Sequence, residues 1–265
     1  MEILRTPPQS PVRAMVFDFD GTISTLRCGW EEVMQPMLEE TLRACGGAES
    51  DAEIAALAAR YIDESTGIQT IFQMKWLAQQ VAQRGGRALD PWDYKAEYNR
   101  RLMLRVDEKK RRLLQGAEKP AQYLMAGAAD FLSALRRAGV RVYVASGTDH
   151  PDVVTEAKAL QVYDLFDELL GAPPHEENCS KEAVLRRLIE KNGLSGDDVA
   201  VMGDGKVEIM LGRQAGARTI GIASDEAARR GVNPVKRARL IQAGADAICG
   251  DFLERDAILA FLGLC

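Results

Sequence analysis

After Gly127, short runs of apolar and β-branched residues alternate with runs of helical period, and this alternation limits the fold more than any other feature of the chain. Strand signals fall at 140–145 (Val-Arg-Val-Tyr-Val-Ala), 168–170, 199–202 (Val-Ala-Val-Met), 218–223 and 246–249. Each is short, dense in buried-type residues and bounded by turn residues, the pattern of a strand covered on both faces. Between them, 128–138, 152–160, 181–192 and 207–215 space their apolar residues as helices do. Gly139 and Gly193 are expected helix stops, and Ser180 an expected N-cap. Strands that alternate with helices build a parallel sheet with helices on both faces, so the fold class is α/β.

One strand signal stands apart. Residues 14–18 (Ala-Met-Val-Phe-Asp) precede a Gly21-Thr22 turn, and no comparable strand follows until 140. The intervening stretch has helical period. Trp30, Val33, Met34, Met37, Leu38 and Leu42 recur at spacings of three and four, as do Ile68, Ile71, Phe72, Trp76 and Leu77, and then Tyr94, Tyr98, Leu102 and Leu113. Gly46-Gly47, Gly85-Gly86 and Asp90-Pro91 punctuate these runs as loops. A helical block is therefore inserted after the first strand, at the carboxyl edge where open α/β sheets bind ligands. The expected organisation is an α/β core over 1–25 and 120–265 and a helical cap over 26–119, which can act as a lid.

Composition excludes several classes. The chain has 265 residues with a net charge of −5, and no basic block stands out, which argues against nucleic acid as a partner. Apolar runs fall far short of the ~20 residues of a membrane span. Residues 1–13 hold three prolines and no apolar run, so no secretory signal is expected. Five cysteines are scattered without a paired spacing, which fits a reducing, cytoplasmic setting better than a disulfide framework. Two histidines, His150 and His175, are a thin supply for a His-based metal site or triad.

The residues suited to chemistry sit at strand ends. Asp18 and Asp20, two apart, can point to one side and suit a hard cation or a nucleophile/acid pair. Ser146-Gly147-Thr148 follows a core strand and offers a hydroxyl beside a backbone that a ligand can approach. Lys181 opens a helix, where its charge opposes the macrodipole. Asp204 and Glu208, four apart after the strand at 199–202, share a face if helical. Each motif taken singly also has an ordinary reading as a turn or a solvated side chain.

In this order the motifs resemble the haloacid dehalogenase-like superfamily, in its phosphatase branch. Asp18-Phe19-Asp20-Gly21-Thr22 matches its first motif, Ser146 the second, Lys181 the third, and Gly203-Asp204 with Glu208 the fourth. The resemblance implies a Rossmann-like core with an inserted, all-helical cap. It implies that Asp18 is the nucleophile and that Asp20 protonates the leaving alkoxide and then activates water. It further implies that Mg²⁺ is held by Asp18, the Asp20 carbonyl and Asp204, with Glu208 acting directly or through water. Ser146, Gly147 and Lys181 would bind the phosphoryl group. Glu208 departs from the aspartate often found at its position.

Asp20 argues against a dehalogenase, whose leaving group needs no proton, and against a phosphonatase, which carries a small residue there. A phosphomutase of the β-phosphoglucomutase type uses the same aspartates and stays open beside the phosphatase, and a non-catalytic binding role is the third alternative. The expected substrate is a small phosphorylated metabolite, a sugar phosphate or one like phosphoglycolate, with no membrane or nucleic-acid partner. Arg27, Thr66 and Gln69 are candidate substrate contacts from the cap, whereas Trp30 and Ile68 are better explained by packing. Asp149-His150-Pro151 is expected to start a helix with Asp149 as cap. The basic stretch 229–239, including Lys236 and Arg237, is expected to be a solvated face.

Overall fold

The computed structural model describes every residue except 9, 174, 176–180 and 265; the expected N-cap Ser180 lies outside the described residues. In chain order the elements are β1 (Glu2–Ile3), β2 (Ala14–Phe17), α1 (Glu31–Arg43), α2 (Asp51–Ser65), α3 (Thr70–Gln83), α4 (Pro91–Leu114), α5 (Ala128–Arg137), β3 (Arg141–Asp149), α6 (His150–Ala159), β4 (Glu168–Ala172), α7 (Lys181–Asn192), β5 (Val199–Gly203), α8 (Lys206–Gln214), β6 (Arg218–Ile222), α9 (Pro234–Gln242), β7 (Ala247–Cys249) and α10 (Arg255–Phe261). The strands form one sheet in the order β1-β7-β6-β5-β2-β3-β4. All neighbours are parallel except β1, which pairs antiparallel with β7. This is the α/β, Rossmann-like class expected from the alternation.

The chain divides into two compact units, Met1–Cys28 with Lys110–Cys265, and Gly29–Lys109. In the first, side chains of the central strands alternate between two apolar layers, as period two requires. Met15, Phe17, Val142, Val144, Ala200 and Met202 join Phe131 and Leu135 of α5 on one face. Ala14, Val16, Tyr143, Ala145, Val199 and Val201 join Leu185 of α7 on the other. Phe131 packs edge-on to Phe17 and stacks with Phe252, at centroid separations of 6.3 and 5.2 Å. Coverage of both faces makes the strands uniformly apolar rather than alternating.

The second unit is helical. Met34, Met37, Leu38 and Leu42 of α1 bury against Ile54, Ala58 and Ile62 of α2, Met74 and Leu77 of α3, and Tyr94, Tyr98 and Leu102 of α4. A capping box starts α2, with the Ser50 hydroxyl accepting from the Glu53 N–H and the Glu53 carboxylate accepting from the Ser50 N–H. Two members of the expected apolar stripes behave differently. Phe72 is exposed, and Leu113 packs in the core of the first unit instead.

Candidate active site

Parallel register aligns three strand ends. Phe17 of β2 stands level with Val144 of β3 and with Met202 of β5, so Asp18, Ser146 and Asp204 emerge at one edge of the sheet. The Asp18 N–H donates to the Met202 carbonyl at 2.9 Å, which extends the β2–β5 ladder by one bond and fixes the Asp18 backbone. Lys181 is the first residue of α7, and Glu208 lies in the first turn of α8.

Lys181 joins two buried carboxylates. Its Nζ donates to Asp18 Oδ1 at 2.8 Å and to Glu208 Oε1. Glu208 also approaches the Gly203 backbone closely: a Cβ at Gly203 would stand 2.9 Å from Glu208 Cγ, tighter than side chains tolerate. The other carboxylate oxygen of Glu208 is buried with no hydrogen-bond partner among the described residues. Burial raises the Asp18 carboxyl to about 6; Lys181 opposes the rise, and the nearby charges of Asp204 and Asp20 add to it.

Asp20 has its own surroundings. Thr148 Oγ1 donates to its Oδ2 at 2.8 Å, whereas the Ser146 hydroxyl is 3.5 Å away and accepts the Thr148 N–H at 3.1 Å. Within the Ser146-Gly147-Thr148 stretch it is thus Thr148, rather than Ser146, whose hydroxyl holds Asp20. The expected strand end at Ala145 is also corrected: β3 continues to Asp149, with a shift in its register against β4 between Ala145 and Asp149. Gly147 lies within that shifted stretch. Burial raises the Asp20 carboxyl to about 6; Arg27 opposes the rise, Glu156 adds to it, and the Thr148 hydrogen bond opposes it.

Arg27 belongs to the first unit rather than to the helical one. Its Nε and Nη2 donate to both oxygens of Glu156, a fully buried residue of α6, at 2.7–3.2 Å, and Nη2 reaches Asp152 at 3.5 Å. Its Nε stands 3.9 Å from Asp20 Oδ1. A guanidinium so surrounded is already neutralised. Thr66 and Gln69 lie in the second unit. The Thr66 hydroxyl donates to the Ile62 carbonyl at 2.9 Å, closing the end of α2, and Gln69 precedes α3 in extended conformation. His150 opens α6 with Pro151 behind it, but Asp149 provides no side-chain cap; His150 Nδ1 instead accepts the Gly171 N–H at 3.3 Å.

Asp204 is held by a residue expected to face solvent. Lys236 Nζ donates to Asp204 Oδ2 at 2.7 Å, to Glu226 Oε1 at 2.6 Å and to Ser224 Oγ at 3.2 Å. The basic stretch is thus not uniformly solvated. Lys236 turns inward, and Arg237 pairs with Glu2 at 2.6–2.7 Å. Gly21 adopts φ +72°, where only glycine is unstrained, and a Cβ there would collide with Asp204 Oδ2. Among the described residues no three acidic, histidine or cysteine side chains converge into a ready-made metal cage.

Among the described residues Cys28, Cys45 and Cys249 form no disulfide, and no described helix is long and apolar enough to cross a membrane. No curated protein matches the sequence significantly. Among solved structures, the fold is similar to "a predicted phosphoglycolate phosphatase" from Haemophilus somnus 129pt, 18% identical over 95% of this chain and 98% of that one, with a TM-score of 0.60. It is similar to β-phosphoglucomutase from Clostridium difficile, 12% identical over 95% and 97%, with a TM-score of 0.63. A HAD family hydrolase from Deinococcus radiodurans R1, solved with bound phosphate and sodium, is 20% identical over 96% and 97%, with a TM-score of 0.55. The model of the haloacid dehalogenase-like hydrolases matches residues 12–216, well over half the chain, and the protein belongs to that family of hydrolases.

Proposed function

We propose that the protein is a Mg²⁺-dependent phosphatase of a small phosphomonoester, working through an aspartyl-phosphate on Asp18. The observation that carries this reading is the pairing of Asp18 with Lys181 beside a second, separately held aspartate, Asp20, at the ligand edge of the sheet. The bound phosphate in the Deinococcus relative and the phosphatase description of the Haemophilus one are in keeping with it.

The donors suit a hard divalent cation in kind. Asp18 and Asp204 are buried carboxylates, Asp204 adds to the rise of Asp18, and Glu208 keeps a buried oxygen without a partner among the described residues. Mg²⁺ needs no cage of three side chains, since it retains waters and takes one or two carboxylates together with substrate phosphate. Asp18, Asp204 and the Asp20 carbonyl would hold it, with Glu208 close by. When bound, it supplies positive charge that offsets the repulsion between Asp18 and a phosphoryl group.

The chain's own residues carry the remaining work. A carboxylate oxygen of Asp18 attacks phosphorus as the bond to the leaving oxygen breaks. Asp20, whose carboxyl is raised to about 6, gives its proton to that leaving oxygen, so the product departs as an alcohol. The same carboxylate then takes a proton from water as the water attacks phosphorus. The P–O bond to Asp18 breaks, and inorganic phosphate and free Asp18 result. Lys181 and Ser146 hold the phosphoryl oxygens, where charge accumulates in transfer. By the family resemblance the helical unit Gly29–Lys109 corresponds to the cap, with Thr66 and Gln69 as its candidate substrate contacts. This chemistry suits a soluble metabolite in a reducing cytoplasm.

A phosphate-release screen over sugar phosphates, phosphoglycolate and p-nitrophenyl phosphate, with and without Mg²⁺, tests the reading. Release that depends on Mg²⁺ and is lost in Asp18→Asn is expected. Conversion of one sugar phosphate isomer to another without net phosphate release would replace the hydrolase by a mutase. Wild-type rates in Asp18→Asn would remove the nucleophile.

A further inference from the structure

Lys236 sits at the metal-binding end of the proposed site, and none of the four motifs includes it. Its placement follows from local chain geometry. Asn233 caps α9, its side-chain oxygen accepting the Val235 and Lys236 N–H groups at 2.9 and 3.1 Å, and Pro234 presets the first helical φ. The Asn233 N–H donates to the Ala223 carbonyl at 2.8 Å, which anchors the helix start to the end of β6. The cap thereby fixes the first turn of α9, and Lys236 extends from that turn into the protein, its side chain only 14% exposed.

The ammonium has three donors, and three oxygens take them: Asp204 Oδ2, Glu226 Oε1 and Ser224 Oγ. The network does not end there. The Ser224 hydroxyl donates to the Gly21 carbonyl at 2.7 Å, so the Asp204 carboxylate is tied through Lys236 and Ser224 to the turn that follows Asp20. Gly21 presses on the same cluster, because a Cβ there would meet both Asp204 and Glu226. One oxygen of Asp204 is thus engaged by a fixed cation, and the carboxylate is restrained to one orientation.

We infer that Lys236 is a positioning residue for the cation site, orienting Asp204 from behind with Glu226 and Ser224 as its braces. The inference rests on the reading of Asp204 as a metal ligand. Groups that hydrogen-bond to a ligating carboxylate set its direction, and their removal commonly weakens metal binding or activity 10–100-fold. A methionine at 236 preserves much of the stem but leaves the carboxylates of buried Asp204 and half-buried Glu226 without the cation that bridges them.

The test measures Mn²⁺ binding to the whole protein without substrate, by electron paramagnetic resonance of the free ion. The set comprises wild type, Asp204→Asn, Lys236→Met, Lys236→Arg and Glu226→Gln, each checked for folding by circular dichroism. Wild type is expected to bind Mn²⁺, and Asp204→Asn to lose most of that binding. Lys236→Met should bind about 10–100-fold more weakly. Lys236→Arg, which keeps the charge, should bind more tightly than Lys236→Met. Unchanged or tighter binding in Lys236→Met overturns the inference, since tighter binding would make the ammonium a competitor of the cation. If Lys236→Met does not fold, Glu226→Gln decides: weaker binding supports the inference and wild-type binding overturns it. Failure of the wild type to bind Mn²⁺, or full binding by Asp204→Asn, overturns the cation-site reading itself and the inference with it.

Discussion

Arg27 Nη2 donates to Glu156 Oε1 at 2.7 Å, and Arg27 Nε spans both oxygens of the same carboxylate. The pair is almost wholly shielded from water, with Glu156 fully buried. Removing one partner of a buried pair leaves an uncompensated charge, at a cost of about 3–5 kcal/mol. Arg27→Met should therefore lower the urea midpoint sharply, and Arg27→Met with Glu156→Leu should recover much of the loss. A wild-type midpoint in the single variant would show that the pair contributes nothing to folding.

Thr148 holds Asp20 through one hydrogen bond, and valine has nearly the same shape without the donor. Hydrogen bonds to charged groups contribute roughly 1.5–3 kcal/mol. Because this one favours the ionised carboxylate, Thr148→Val should push the Asp20 pKa still higher. The proposed hydrolysis needs Asp20 protonated to release the alcohol, so the alkaline limb of the kcat profile should move to higher pH. An unshifted profile would place Thr148 outside the acid–base step.

The raised carboxyl of Asp18 links stability to pH. Its folded value of about 6 lies above the ordinary value of 3.8, so the folded state binds the proton more tightly than the unfolded chain does. Stability then falls as pH rises from about 4 through 6, and the penalty is complete above 6. Asp18→Asn removes it. In metal-free protein the variant should be more stable than wild type at pH 7.5, on the order of 1–3 kcal/mol, with the gain gone at pH 4. Thermal melts at both pH values check this; equal gains at both would point to a cause other than titration.

Lys181 lies between Asp18 and Glu208, and Lys181→Met leaves those carboxylates without their shared counter-ion. Loss of one preorganised donor to an oxyanion costs about 10²–10³ in kcat in acyl transfer, and a comparable loss is expected here. Phosphate release should fall by that factor at saturating Mg²⁺. A rate within a few-fold of wild type would leave Lys181 a purely structural role.

The sequence carried the sheet because strands buried on both faces are dense in valine and isoleucine, and Val199–Gly203 is legible on that ground alone. Helix α2 is not legible: alanines occupy much of its sequence, and its buried stripe is Ile54, Ala58, Ile62 and Ser65, with only two large apolar side chains. The strand β1 is two residues long, too short for any period. At the site, spacing and motif single out Asp18, Asp20, Ser146, Lys181, Asp204 and Glu208, and strand register together with hydrogen bonds brings all six to one edge of the sheet. The contacts of Lys236 and Thr148 are hidden for a common reason. A lysine in a basic stretch and a threonine after a strand look ordinary until tertiary contacts decide which way each side chain turns. The direction of Arg27 was hidden likewise, because its partner Glu156 is 129 residues away.

The position of β2 in the sheet has a consequence for biosynthesis. Both its neighbours, β3 and β5, come much later in the chain, the nearer beginning at Arg141. At ~5–20 residues per second, a ribosome takes on the order of ten seconds to make the intervening stretch. Throughout that interval Ala14–Phe17 is an apolar strand with neither partner in existence. The strand that ends at the proposed nucleophile Asp18 is thus exposed to mispairing in the nascent chain until β3 is made.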